Sequence, residues 1–125
     1  SFRGKKVVVT SKKKLPNLSK KIKDISLMNC RSNNDHINTI DFIKRVSKQN
    51  INNILIEAGP ALLGDFGDKN LVDEYIFYIS PERLGNKALH FYGGQKKINF
   101  FEGKQFDIVD RTFIGKDQKI VLRKK

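Results

Sequence analysis

One stretch constrains this chain more than any other: Ile51-Asn52-Asn53-Ile54-Leu55-Ile56-Glu57, followed at once by Ala58-Gly59-Pro60-Ala61-Leu62-Leu63-Gly64-Asp65-Phe66. The first half is an apolar, β-branched run that reads as a buried strand ending on a carboxylate. The second reads as a tight turn into a helix, with Pro60 at the first helical position, where its missing N–H costs nothing. Strand, turn and helix in that order are the repeating unit of α/β proteins, which collect ligands beyond the carboxyl ends of their strands. Gly59 lets a backbone or ligand approach closely. The helix start offers unpaired N–H groups and the positive end of a dipole, which suits a phosphate or pyrophosphate. A plainer reading stays open, because short glycine motifs often occur with no ligand. In it Gly-Pro merely starts a helix and Glu57 hydrogen-bonds locally. A carboxylate at the end of so apolar a run must nevertheless find donors or water.

The flanking segments place this unit in a layered fold. Lys6-Val7-Val8-Val9-Thr10 is a β-branched strand, and Asp24-Ile25-Ser26-Leu27-Met28 a shorter one. Between Thr39 and Gln49, Ile40, Ile43 and Val46, with Phe42 alongside, recur at helical spacing, and Asn38 or Thr39 is placed to cap that helix. A strand is expected from Val72 to Ile79, then a glycine-containing loop from Glu82 to Gly94. Phe106–Phe113 and Lys119–Arg123, around Gly115-Lys116-Asp117-Gln118, read as a terminal hairpin. The expectation is a single α/β domain over residues 1–125, with a mixed, mainly parallel sheet and a C-terminal antiparallel hairpin.

Charge and composition narrow the functional classes. Lys and Arg number 25 against 13 Asp and Glu, a net charge of +12. Nine of the cations fall between Ser1 and Lys23, where no acid occurs, and Arg123-Lys124-Lys125 supplies the remaining excess. Basic ends around a neutral middle fit nucleic acid, a phosphate ligand or simple solvation. Only Phe2 interleaves with the first run, which argues against nucleic acid as the partner. The lone Cys30 excludes a disulfide framework within the chain and fits a reducing, cytoplasmic setting. No apolar run is long enough for a membrane span. His36 and His90 lack metal-ligand spacing, so no metal site is expected. Nor is there a nucleophile elbow or a phosphate-loop motif.

Read in order, Ile54-Leu55-Ile56-Glu57-Ala58-Gly59-Pro60-Ala61-Leu62, then Leu71-Val72-Asp73-Glu74-Tyr75-Ile76-Phe77-Tyr78-Ile79-Ser80-Pro81, then Leu84-Gly85, closely resembles the reductase domain of the bifunctional riboflavin-biosynthesis deaminase–reductase (RibD) family. The combination is far more specific than any of its pieces. The resemblance implies a dihydrofolate-reductase-like three-layer fold that binds NADPH and a phosphoribosylamino-pyrimidine, 5-amino-6-(5-phosphoribosylamino)uracil. It also implies a homodimer, and reduction of the ribosyl side chain to ribityl by hydride transfer. Glu57 matches the family carboxylate that contacts the pyrimidine. Gly59, Pro60, Ala61, Leu62, Leu63, Gly64 and Asp65 match the segment that holds the cofactor pyrophosphate. Thr10, Ser11 and Lys12 correspond to the strand end that reaches the 2′-phosphate. Ala58 stands where many members carry Gly, and the resemblance implies an unusual peptide there, with the cis form among the options. No residue is assigned as general acid.

The family's N-terminal reductase strands, which supply most contacts to ribose phosphate and nicotinamide, have no match in residues 1–125, and neither has its zinc deaminase domain. The chain is therefore expected to be the C-terminal part of a reductase domain, incomplete at its N-terminus. Two alternatives are a remnant that keeps the fold without activity and a basic nucleic-acid-binding domain.

Overall fold

β-Branched Lys6–Thr10 forms strand β1, paired in parallel with β2, Ile25–Asn29, in register from Lys6 opposite Ile25 to Thr10 opposite Asn29. The computed structural model describes residues 4, 6–11, 25–33 and 36–125. Its chain divides into two compact units, Ser1–Leu55 and Ile56–Lys125. In the first unit, the Cys30 N–H donates to the Thr10 carbonyl at 2.8 Å, carrying the ladder one step past β2. A two-residue antiparallel pair follows, β3 (Ser32–Asn33) with β4 (His36–Ile37), and then helix α1, Thr39–Ser47. Of the two candidate caps, Asn38 is the one used: its Oδ1 accepts the Asp41 N–H at 3.0 Å. Asp41 in turn accepts the Arg31 N–H at 2.9 Å and Arg45 Nε at 2.7 Å, so one carboxylate ties the helix to the end of the β1–β2 pair. Val46 is buried and Ile43 and Phe42 half-buried, whereas Ile40 is exposed, so the apolar stripe expected of this helix is only partly covered.

The strand expected over Ile51–Glu57 is not formed. Residues 51–59 form no ladder, and Leu55 is 76% exposed. The reason is physical: a strand exists only where a neighbour takes its N–H and C=O groups, and no described strand pairs with this one. Apolarity makes burial favourable but supplies no partner. The expected mixed, mainly parallel sheet is corrected for the same reason. Among the described residues, only β1–β2 is parallel, and the remaining ladders are antiparallel. Among the described residues the chain is α/β in content, with two helices and separate sheets.

In the second unit, helix α2 spans Pro60–Asp68 and β5 spans Glu74–Ile79, starting two residues later than expected. β6 (Phe106–Ile114) and β7 (Asp117–Lys124) form the hairpin, and the sheet order is β5-β7-β6. The hairpin turns on Gly115-Lys116. Gly115 has φ +62° and Lys116 is not in the left-handed region, the pattern of a type II′ turn, which places glycine first. Helix α2 ends on Asn70 at φ +59°, with the Leu71 N–H bonded to the Phe66 carbonyl at 3.0 Å and the Asn70 N–H to the Gly67 carbonyl at 2.9 Å. This is a Schellman stop. The core is aromatic: Tyr75, Phe100, Phe106, Ile120 and Leu122 are buried together, with Tyr75 edge-on to Phe100 at 4.9 Å and to Phe106 at 5.3 Å. Phe100 reaches this core from the irregular segment between β5 and β6.

Candidate active site

The start of α2 leaves its first amides uncapped. Gly59 caps it in an extended conformation (φ −70°, ψ 171°), no side chain caps it, and its first turn holds no acid. Pro60 has no N–H, and intrahelical bonding begins with Leu63 donating to the Gly59 carbonyl at 3.1 Å. The amides of Ala61 and Leu62 therefore have no partner within the helix. A Cβ built on Gly59 would meet nothing within 4 Å, so the space in front of these amides is open. Such a terminus fits a pyrophosphate on its own chemistry. Glu57 lies two residues upstream, exposed. Among the described residues no peptide is cis, so the cis form named for Ala58 is not adopted.

The rest of the run behaves differently from Gly59–Leu62. Leu63 packs against the aromatic core. Asp65 sits 2.7 Å from Lys69 Nζ. Gly64 is buried under the Gly93-Gly94 backbone, which a Cβ on Gly64 would strike. Thr10 is buried at the end of β1 and Ser11 half-buried beside it. Both belong to the first unit, and Lys12 lies outside the described residues.

What holds the helix start in place was not read from the sequence. The Gly93 N–H donates to the Pro60 carbonyl at 3.0 Å. At the other end of α2, the Asp68 carboxylate accepts from the Tyr92 hydroxyl at 2.8 Å, the Gln95 N–H at 2.7 Å and the Lys96 N–H at 3.0 Å. Residues 92–96 are thus clamped along the helix. The backbone bonds from Gln95 and Lys96 hold the Asp68 carboxyl below its ordinary range. Burial, reinforced by the Asp68 carboxylate, pushes the Tyr92 phenol up. A signal for the clamp was present, since adjacent glycines after Phe91-Tyr92 mark a close backbone approach.

The clamp makes a pH prediction. Folding lowers the Asp68 pKa, so the unfolded chain binds this proton more tightly. The resulting stability is complete above the unfolded carboxylate value, near pH 4, and is lost as pH falls through the lower folded value. Urea midpoints of the parent are expected to drop across that window, and Asp68→Asn to flatten the drop while lowering the midpoint at pH 7. A variant that keeps the parent's full acid dependence would rule Asp68 out as its source.

Comparison with known proteins sets this geometry in a family. The profile described as RibD C-terminal domain matches residues 2–116. A Buchnera aphidicola protein (subsp. Baizongia pistaciae, strain Bp) named riboflavin biosynthesis protein RibD is 43% identical over 88 residues, covering 70% of this chain and 24% of its own. A second Buchnera aphidicola protein (subsp. Acyrthosiphon pisum, strain APS), named 5-amino-6-(5-phosphoribosylamino)uracil reductase, is 32% identical over 95 residues, covering 76% of this chain and 46% of its own. This chain thus spans less than half the length of either relative. Among solved structures, Acinetobacter baumannii RibD, form 2, has a similar fold with a TM-score of 0.65 at 23% identity, over 97% of this chain and 38% of that one. With the profile matching nearly end to end and the Glu57–Leu62 segment falling within it, the chain belongs to the RibD C-terminal domain family.

Proposed function

We propose that this chain is the C-terminal part of a reductase domain that uses NADPH to convert the ribosyl side chain of 5-amino-6-(5-phosphoribosylamino)uracil to ribityl. The observation that carries this reading is the open, amide-bearing start of α2 directly after Glu57, in a member of the RibD C-terminal domain family. A relative named for that reductase activity supports the substrate. In this reading Gly59, Pro60, Ala61 and Leu62 present the helix terminus to the cofactor pyrophosphate. Leu63, Gly64 and Asp65 brace that terminus through the core, the Gly93-Gly94 backbone and Lys69. Thr10, Ser11 and Lys12 serve the 2′-phosphate, and Glu57 orients the pyrimidine. NADPH supplies the hydride when bound, and the protein contributes position and exclusion of water.

The reading extends to a dihydrofolate-reductase-like layered fold, a homodimer and a cytoplasmic setting. Among the described residues no helix is long and apolar enough to cross a membrane. The test is NADPH oxidation by the full-length protein containing this chain, supplied with the phosphoribosylamino-pyrimidine, with the ribityl product identified by mass. No oxidation with substrate present would sink the assignment. Light scattering on the same sample is expected to give a dimer, and a monomer would remove that part.

A further inference from the structure

The lysine-rich C-terminus, which the proposed reaction leaves unused, becomes part of a built feature in the second unit. Five lysines from three separate segments (Lys96, Lys97, Lys104, Lys124 and Lys125) line one cleft of about 710 Å³ that no Asp or Glu side chain lines. Its floor includes the buried rings of Tyr75 and Phe106. Gly67 and Asn70, at the C-terminal end of α2, form part of its wall. The cleft is therefore set off from the Gly59 terminus by most of the helix, about 12 Å at 1.5 Å per residue.

The lysines are positioned and only partly neutralised. Lys96 and Lys124 donate from their ammonium groups to the Asp68 and Asn70 carbonyls, the negative end of the α2 dipole, and the Asp68 carboxylate also acts on Lys96. Lys104 and Lys125 touch Glu102 at 3.2 Å and Asp107 at 3.3 Å, outside the cleft, in exposed pairs that exchange readily. Lys97 is exposed at the same rim. Like charges gathered on a concave, partly apolar wall focus a positive potential. We propose that this cleft binds a small polyphosphate, a molecule carrying two or more adjacent phosphate groups.

Two observations favour that ligand class. A cleft of this size falls in the small-molecule range, and lysines meet phosphates as point charges without demanding planar, bidentate geometry. A single-stranded nucleic acid would need exposed rings on which bases stack, and the rings here are buried.

The test is a titration of the intact, ¹⁵N-labelled chain with inorganic triphosphate at low salt, followed by amide shifts. The expected result is saturable shifts at residues 96–98, 104–106 and 124–125, weakening steeply as salt is added. Lys97→Glu with Lys124→Glu is expected to weaken this binding by at least about tenfold, while triphosphate-induced shifts at residues 59–62 persist. Lys97→Glu alone, at an exposed position, gives a smaller loss in the same sense and guards against misfolding of the double variant. No shifts at these amides, shifts that stay linear and are matched by sulfate, or unchanged affinity in both variants would each overturn the proposal. So would tighter binding of a roughly 12-nucleotide oligouridine, which would give the cleft to nucleic acid.

Discussion

Gly64→Ala is expected to destabilise the second unit by about 2 kcal/mol, a roughly 30-fold shift in its unfolding equilibrium. Two effects compete. Alanine in a helix interior gains about 1 kcal/mol over glycine. Against that, the added methyl would meet the Gly93 carbonyl carbon at 2.5 Å and the Gly94 Cα at 2.6 Å, as well as the Gly94 nitrogen. Those atoms are main chain and cannot swing aside as a side-chain tip would. Their segment is also fixed by the Gly93–Pro60 bond and by the Asp68 clamp. Overpacking of this kind costs about 3 kcal/mol, so the clash outweighs the propensity gain. The measurement is urea unfolding followed by near-ultraviolet circular dichroism of the aromatic cluster, which reports on the second unit. The midpoint should fall with little change in slope. Gly59→Ser is the internal comparison: the site is open, φ is ordinary and serine is a favoured cap, so its stability should hold or rise. Equal stability of Gly64→Ala and the parent would mean that the 92–94 segment does not bear on the helix.

The close approach at Gly64 also shows what the sequence could and could not disclose. Features with local causes were readable. The β-branched run gave β1, Asn38 was one of two caps named for α1, Pro60 marked the first residue of α2, and Gly115-Lys116-Asp117-Gln118 marked the hairpin, whose turn uses only the first two of them. Ordered motifs from Ile54 to Gly85 were enough to point to the family. Features that depend on distant partners were not readable. Ile54-Leu55-Ile56 has the composition of a buried strand, yet pairing is a property of two segments, and the described chain supplies no second one. The convergence of Tyr92, Gln95 and Lys96 on Asp68 depends on residues more than twenty positions away, which no local pattern shows. Gly64 and Asp65, read as parts of one cofactor segment, divide in space as well: Gly64 faces a backbone and Asp65 a lysine. The basic tail was a charge count in sequence, and strand β7 delivers it to a cleft with lysines from two other segments.

Glu57→Gln, made in the full-length protein, is expected to lower kcat/KM for the phosphoribosylamino-pyrimidine by about 10- to 150-fold. That range is the rate equivalent of one lost charge-assisted hydrogen bond, about 1.5–3 kcal/mol. Glutamine keeps the length and shape of the side chain and removes its charge and one acceptor. Glu57 is exposed in this structure, so the substitution should leave the urea midpoint unchanged, separating a binding role from a structural one. The two kinetic parameters divide the effect further. The pyrimidine ring is joined through one exocyclic nitrogen to the sugar carbon that receives hydride. If its contact with Glu57 is the same in ground and transition states, the loss falls on KM with kcat preserved. If the contact tightens as the sugar is reduced, kcat falls as well. The KM for NADPH should not move in either case, because the amides of Ala61 and Leu62, rather than the Glu57 carboxylate, face the cofactor in this reading. Glu57→Asp restores the charge but shortens the reach, and is expected to recover only part of the loss. A kcat/KM for Glu57→Gln within about twofold of the parent would show that no hydrogen bond of the expected strength runs from this carboxylate to the substrate.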